Sequence, residues 1–189
     1  MIVIMFIACS SGNDLETGDR VESQDEDVYP HDIAEGCHPD LAGWSDPWMG
    51  IEFATLSDMN RMREAGANCN SMGIFEATAP LEMEPHLHCA ARYHSLWMSE
   101  NDMMHESPGG DLGEDPQQRM DNAGFTGRAG GENVAAGSPS PTDTVQSWMG
   151  SDGHCANIMN PDVNVAGIGY VNSSGGYQHY WTLNTGRID

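Results

Sequence analysis

Apolar positions along the chain change period several times, and each change predicts an element. From Met49 to Ala67, Leu56, Met59 and Met62 recur every three residues, which predicts a helix with one buried side that ends near Gly66. A second helix is predicted over Glu84 to Asn101. Pro85 fits its first position, and Leu87, Ala91, His94 and Met98 follow at the spacing of a single stripe. His94 thus falls on the apolar side, where a histidine reads as a hydrogen-bonded core residue and not as a ligand. Asp115-Pro116 opens a short third helix that stops at Gly124. Ser140-Pro141 starts a fourth, Thr142 to Met149, with Val145 and Trp148 inward, Asp143 favouring the helix dipole and Gly150 ending it. Ser151 caps a fifth helix through Cys155 and Ile158, closed by Asn160-Pro161. The period then shortens to two. Asn164 to Val171 reads as a strand, Asn172 to Gly176 as a turn, and Gln178 to Leu183 as a strand pairing back. Helices followed by paired strands predict an α+β sandwich.

The N-terminal part follows a different pattern. Residues 1–12 form an apolar run ending in FIAC and Ser10-Ser11-Gly12, which resembles a bacterial lipobox with Cys9 as the lipidated residue. Eight apolar residues are too few to span a bilayer, so any membrane association is through the lipid anchor alone. Residues 13–36 are acidic and carry no apolar period, as expected of a disordered tether. The domain proper is expected over 37–189, with residues 37–47 as an arm lying on it. A chain of 189 residues accommodates one such domain with a well-buried core.

Charge narrows the partners. The chain carries 29 acids against 7 bases, a formal charge of −22, and every base is arginine. Such a surface repels phosphate backbones and anionic head groups, which argues against nucleic acid as a partner. Thirteen methionines, several on helix stripes, read as core filler, and Trp97, Trp148 and Trp181 as core anchors. Five cysteines behind an apolar N-terminus point to an oxidising compartment, extracellular or in the cell envelope. With Cys9 set aside, Cys37, Cys69, Cys89 and Cys155 allow three pairings. A Cys69–Cys89 bridge would close a short local loop and leave Cys37 to reach Cys155, whereas Cys89 could equally be a small buried thiol.

The stretch Arg128 to Pro161 carries the candidate chemistry. Gly130 and Gly131 predict a tight turn presenting Glu132, and His154 opens the fifth helix. The motifs GGENVAAG, WMGSDGHCANIMNP, VAGIGYV and YWT, preceded by LHCAARYHS and NDMMHESPGG, resemble the bacterial branch of the CAP superfamily, also called SCP or cysteine-rich secretory domains, from about Met49 to Gly186. The resemblance implies a three-layer α-β-α sandwich with a small antiparallel sheet between helices. It also implies a cleft to which His105, Glu132 and His154 contribute, with Ser151 where animal members carry a second acid. Met103-Met104 before the first histidine and the WTLNTG ending depart from the usual pattern.

Two imidazoles and a carboxylate are the ligand set of an open zinc site, so the resemblance implies either binding of zinc or magnesium by His105, Glu132 and His154 or, equally, a polar cleft that holds water. The same cleft, including Ser151, is expected to take a small-molecule, lipid or peptide ligand in a monomeric protein. The alternative is a hydrolase acting on peptide or cell-wall material, with Ser151 as nucleophile, His154 as base and Glu132 as orienter. Against it, a serine at a helix start is expected to spend its hydroxyl on capping, and the chain shows no GxSxG elbow.

Overall fold

The computed structural model describes residues 36–189; Cys9 and the acidic tether up to residue 35 lie outside the described residues. Five helices appear where caps and stripes predicted them: α1 (Asp46–Ala65), α2 (Pro85–Glu100), α3 (Pro116–Asn122), α4 (Pro141–Met149) and α5 (Asp152–Met159). Each of the first four has a proline in its first turn, and Glu84, Asp115 and Ser140 accept hydrogen bonds from Leu87 N, Gln118 N and Asp143 N. Those caps satisfy amides that the helix itself leaves bare. α1 starts three residues before the predicted Met49, because Ser45-Asp46-Pro47 supplies a start signal ahead of the apolar stripe. Among the described residues, no helix is long and apolar enough to cross a membrane.

The short strands β1 (Ala67–Asn68) and β2 (Ile74–Phe75) pair into a small hairpin. The main sheet joins β3 (Glu82–Met83), β4 (Arg128–Ala136), β5 (Val165–Asn172) and β6 (His179–Arg187) in the order β3-β5-β6-β4. β5–β6 and β4–β6 are antiparallel, but β3 runs parallel to β5, so the sheet is mixed at one edge. Alternate residues of β5 face opposite layers. Ala166, Ile168 and Tyr170 join Trp181, Trp148 and residues of α1, α4 and α5 in one cluster, and Val165 joins α2, α3 and the arm in the other. The outcome is the expected three-layer sandwich.

Two glycines set how closely α2 approaches. A Cβ on Gly167 would lie 2.0 Å from the Leu87 carbonyl carbon, and one on Gly169 would lie 2.3 Å from the Ala91 oxygen. Bare backbone on β5 therefore seats the helix backbone directly. On the opposite side, the buried Arg63 of α1 donates to the carbonyls of Ala79, Ile158, Asn160 and Val163, fixing the end of α5 and the entry to β5.

The disulfides are Cys37–Cys89 and Cys69–Cys155, which corrects the expected Cys69–Cys89 and Cys37–Cys155. Loop length favoured the local pair, but Cys69 packs with α5 on one side of the sheet and Cys89 faces the arm on the other. The sheet itself keeps them apart. Cys37–Cys89 instead ties the arm to α2, and Leu41 of the arm is buried there, as an arm lying on the domain requires. Trp148 and Trp181 are fully buried, whereas Trp97 is only partly so.

Candidate functional site

Glu132 does not sit in a turn. It lies within the edge strand β4, opposite Asn184 of β6, just past an irregularity between Ala129 and Gly131. The glycines before it answer crowding: a Cβ on Gly130 would meet Val163 Cγ1 at 2.6 Å, and one on Gly131 would meet the Asn157 amide at 2.7 Å. Neither has the positive φ that the turn reading required.

The Glu132 side chain is 2% exposed and both of its oxygens are engaged. Oε1 meets His105 Nδ1 at 2.9 Å, and Oε2 accepts from Arg119 Nη2 at 2.7 Å. Oriented with its nitrogen toward the carboxylate, the Asn184 amide adds a third donor at 3.2 Å. Arg119 was not legible in the sequence as part of this site. It is completely buried and also donates to the His105 carbonyl and to Ser107 Oγ, each at 2.7 Å, so one guanidinium holds the carboxylate and the backbone of its histidine partner together. His94 is buried, as its stripe predicted, and its Nε2 bonds the Met104 carbonyl at 2.9 Å. It nevertheless stands 3.9 Å from Glu132 Oε1, directly behind the site.

His105 is 45% exposed and opens onto a hollow of about 370 Å³ walled by Gln117, Met120, Gly130, Gly131 and Glu132. That is the small end of the range for ligand pockets. His154 comes from α5, with its ring centre 6.4 Å from that of His105 and tilted to it. Several contacts fix α5 here. Asn133 Nδ2 donates to the His154 carbonyl, Asn157 Nδ2 donates to the Glu132 carbonyl, and Cys69–Cys155 and the pairing of Asp152 with Ser71 and Asn70 hold the helix start. Ser151 is the residue before that helix, but its hydroxyl makes no capping bond, so the expectation that capping would occupy it does not hold. Among the described residues, no hydroxyl or thiol hydrogen-bonds to either imidazole, as a serine or cysteine nucleophile would.

The two imidazoles are driven in opposite directions. The hydrogen bond to Glu132 holds His105 above the usual histidine range, while burial, followed by the nearby charge of His105, holds His154 below it. Because a carboxylate only accepts, the Nδ1 of His105 carries the proton and Nε2 faces outward, as an acceptor when neutral and a donor when charged. Burial above all, joined by the nearby charges of Arg119 and His105 and opposed by Glu132, pushes His94 down to about 4.

Folded His94 stays neutral where the unfolded chain takes up a proton. Its contribution is therefore complete above about pH 6.5 and lost as pH falls toward about 4, a change on the order of 3 kcal/mol. His105 has the opposite sign, stabilising below the ordinary value and fading as pH rises through its raised one, but its exposure makes that contribution small. Urea unfolding of wild type is expected to weaken across this acid window, and of His94→Gln to weaken less. Parallel slopes for the two proteins would contradict the assignment.

A divalent ion bound by His105, Glu132 and His154 needs a carboxylate free to ligate. Glu132 is not free: one oxygen holds the His105 proton and the other a guanidinium. What remains is two imidazoles, one fewer than the three protein ligands of an open zinc site. Among the described residues, no group of three histidine, cysteine, aspartate or glutamate side chains is arranged to hold a metal. In this geometry the donor set does not fit the ion.

A family model described as the cysteine-rich secretory protein family, CAP, matches residues 57–185. Over 95 residues the chain is 36% identical to the uncharacterized protein YkwD of Bacillus subtilis (strain 168), an alignment covering 50% of this chain and 36% of that protein's length. Among solved structures, it is similar to an SCP-domain extracellular protein from Bacillus anthracis str. Ames, with 24% identity, a TM-score of 0.57, and 76% of this chain and 43% of that one covered. An outer surface protein of Borrelia burgdorferi gives 18% identity and a TM-score of 0.58, covering 74% of this chain and 94% of that one. A cysteine-rich secretory protein of Staphylococcus aureus gives 16% identity and a TM-score of 0.55, covering 75% of this chain and 40% of that one.

Proposed function

This chain belongs to the cysteine-rich secretory protein (CAP) family, and on that premise we propose that it is an exported binding protein whose ligand seats against His105. Export is supported by the two disulfides and by relatives described as extracellular or outer surface proteins, and anchoring by the lipobox-like run ending at Cys9. The observation that carries the reading is the His105–Glu132 pair at the mouth of a hollow, where Nδ1 is held by the carboxylate and Nε2 has no hydrogen-bond partner among the described residues. A ligand presenting a carboxylate, whether a small molecule, a lipid or a peptide end, complements that nitrogen when it is protonated.

The test uses two carboxylates, decanoate and N-acetyl-dialanine, followed by the imidazole NMR signals of His105 and His154. A saturable shift with either probe that disappears in His105→Ala is the expected result. No shift with either would end the reading.

The hydrolase alternative keeps one supporting observation. Glu132 orients His105 and not His154, so the general base of that reading moves to His105, whose Nδ1 rests on a buried carboxylate, while the Ser151 hydroxyl is not spent on capping. Turnover of a peptide library that is lost in Glu132→Gln would replace the binding reading with this one.

A further inference from the structure

The pairing of Glu132 with Arg119 bears on which ligands the cleft accepts. Of the two acids on its wall, one carries a counter-charge. The Glu132 carboxylate faces the Arg119 guanidinium at 2.7 Å, with both side chains essentially out of solvent. Asp115, the other acid on the wall, spends Oδ1 on the Gln118 amide and keeps its charge. His105 is neutral or positive. In a chain of net charge −22, the carboxylate beside His105 is thus an acid already answered.

We propose that Arg119 sets the ligand preference of the cleft: by cancelling the charge of Glu132 and holding it against His105, it excludes divalent cations and leaves Nε2 of His105 to take an anionic hydrogen-bond acceptor. The inference rests on the cleft reading above and deepens it by naming the residue that chooses the ligand's charge. Geometry gives Arg119 this role over a merely structural one. A guanidinium packed only for stability could bond any carbonyl, whereas this one spends a single nitrogen, Nη2, on both the Glu132 carboxylate and the carbonyl of its partner His105. Nη1 goes to Ser107 Oγ, whose hydroxyl is tied to the Gly113 carbonyl, so the guanidinium cannot swing away without breaking the turn that carries His105. Its removal would restore to Glu132 a free oxygen and an uncancelled charge, which would draw a divalent ion toward the exposed side of His105.

The experiment is calorimetric zinc titration of wild type, Arg119→Lys, Arg119→Gln and the Arg119→Gln, His105→Ala double variant. Arg119→Gln is expected to bind zinc at least about tenfold more tightly than wild type, and the double variant to lose that gain. Arg119→Lys, which keeps the charge, is expected to stay with wild type. An unchanged zinc affinity in Arg119→Gln would overturn the proposal, as would wild-type zinc binding that His105→Ala abolishes. If Arg119→Gln does not fold, wild type against His105→Ala decides: equal weak affinity supports the exclusion and a His105-dependent site refutes it. Decanoate binding is measured in parallel on wild type and Arg119→Lys. Tight His105-dependent zinc binding with decanoate still bound would sink the role of Arg119 alone, whereas no decanoate response with zinc still excluded would sink the cleft reading alone.

Discussion

Gly167→Ala is expected to abolish the native fold, although it adds one methyl group. The new Cβ would stand 2.0 Å from the Leu87 carbonyl carbon and 2.1 Å from the His88 nitrogen, against the 3.4 Å or more of an ordinary contact. Both obstacles are main chain in the first turn of α2, and no rotamer change can move them. Either the helix lifts off the sheet along its length or β5 distorts, and each opens the cluster holding Leu87, Ala90 and Val165. A loss above about 4 kcal/mol is expected, the range reserved for mutations that break packing outright. Gly153→Ala is the control. Its added Cβ meets nothing within 4 Å, and in the first turn of α5 alanine should be no worse than glycine. Soluble yield and urea midpoints of the two variants check this; comparable stability for both would mean that the close seating of α2 on β5 is wrong.

Glu52→Ala is expected to cost about 3–5 kcal/mol, a large fraction of the stability of an ordinary domain. Glu52 is completely buried on α1, where its carboxylate accepts from Trp44 Nε1 at 3.1 Å, His88 Nε2 at 3.0 Å, the Tyr170 amide at 3.0 Å and the Arg92 guanidinium. Burial pushes its carboxyl up, but His88 and then Arg92 pull it further down, so the group is held charged. Truncation would strand Arg92 in the interior with no counter-charge, leave His88 Nε2 without its hydrogen-bond partner, and free Trp44 of the arm, whose ring lies 5.1 Å from the guanidinium carbon. Glu52→Gln should recover part of the loss, since the amide oxygen can still accept from Tyr170 and Trp44. Chemical denaturation of both variants measures the effect, and a loss below about 1 kcal/mol for Glu52→Ala would show the network to be dispensable.

These two positions mark the division between what sequence reading reaches and what it does not. The helix starts were legible because a cap is a local contract: Glu84, Asp115 and Ser140 each serve an amide three residues on, and the proline beside each fixes the first φ. The stripe through Leu87, Ala91, His94 and Met98 was legible for the same reason, and all four are buried. Glu132 was found but misplaced. Gly130-Gly131 looked like a turn because the alternative cause of two glycines, crowding by Val163 and Asn157, comes from residues more than twenty positions away. The Ser151 hydroxyl, read as a cap, makes no bond to the helix end, and the contact that ties this helix start down is the long-range one from Asp152 to Ser71 and Asn70 of the hairpin.

By itself, then, the sequence determined the helices, the last two strands and the layering of an α+β domain, because caps and periods are interactions within one or two turns of chain, while His105, Glu132 and His154 were named through a family resemblance and not through local pattern. Tertiary structure alone decided that the sheet separates Cys69 from Cys89, that Arg63 reaches carbonyls 95 to 100 residues away, and that Arg119 pairs with Glu132. The physical reason is shared by all three. A buried charge or a disulfide is fixed by whichever partner the packed layers bring within a few ångströms, and nothing in a residue's own neighbourhood along the chain records which partner that will be.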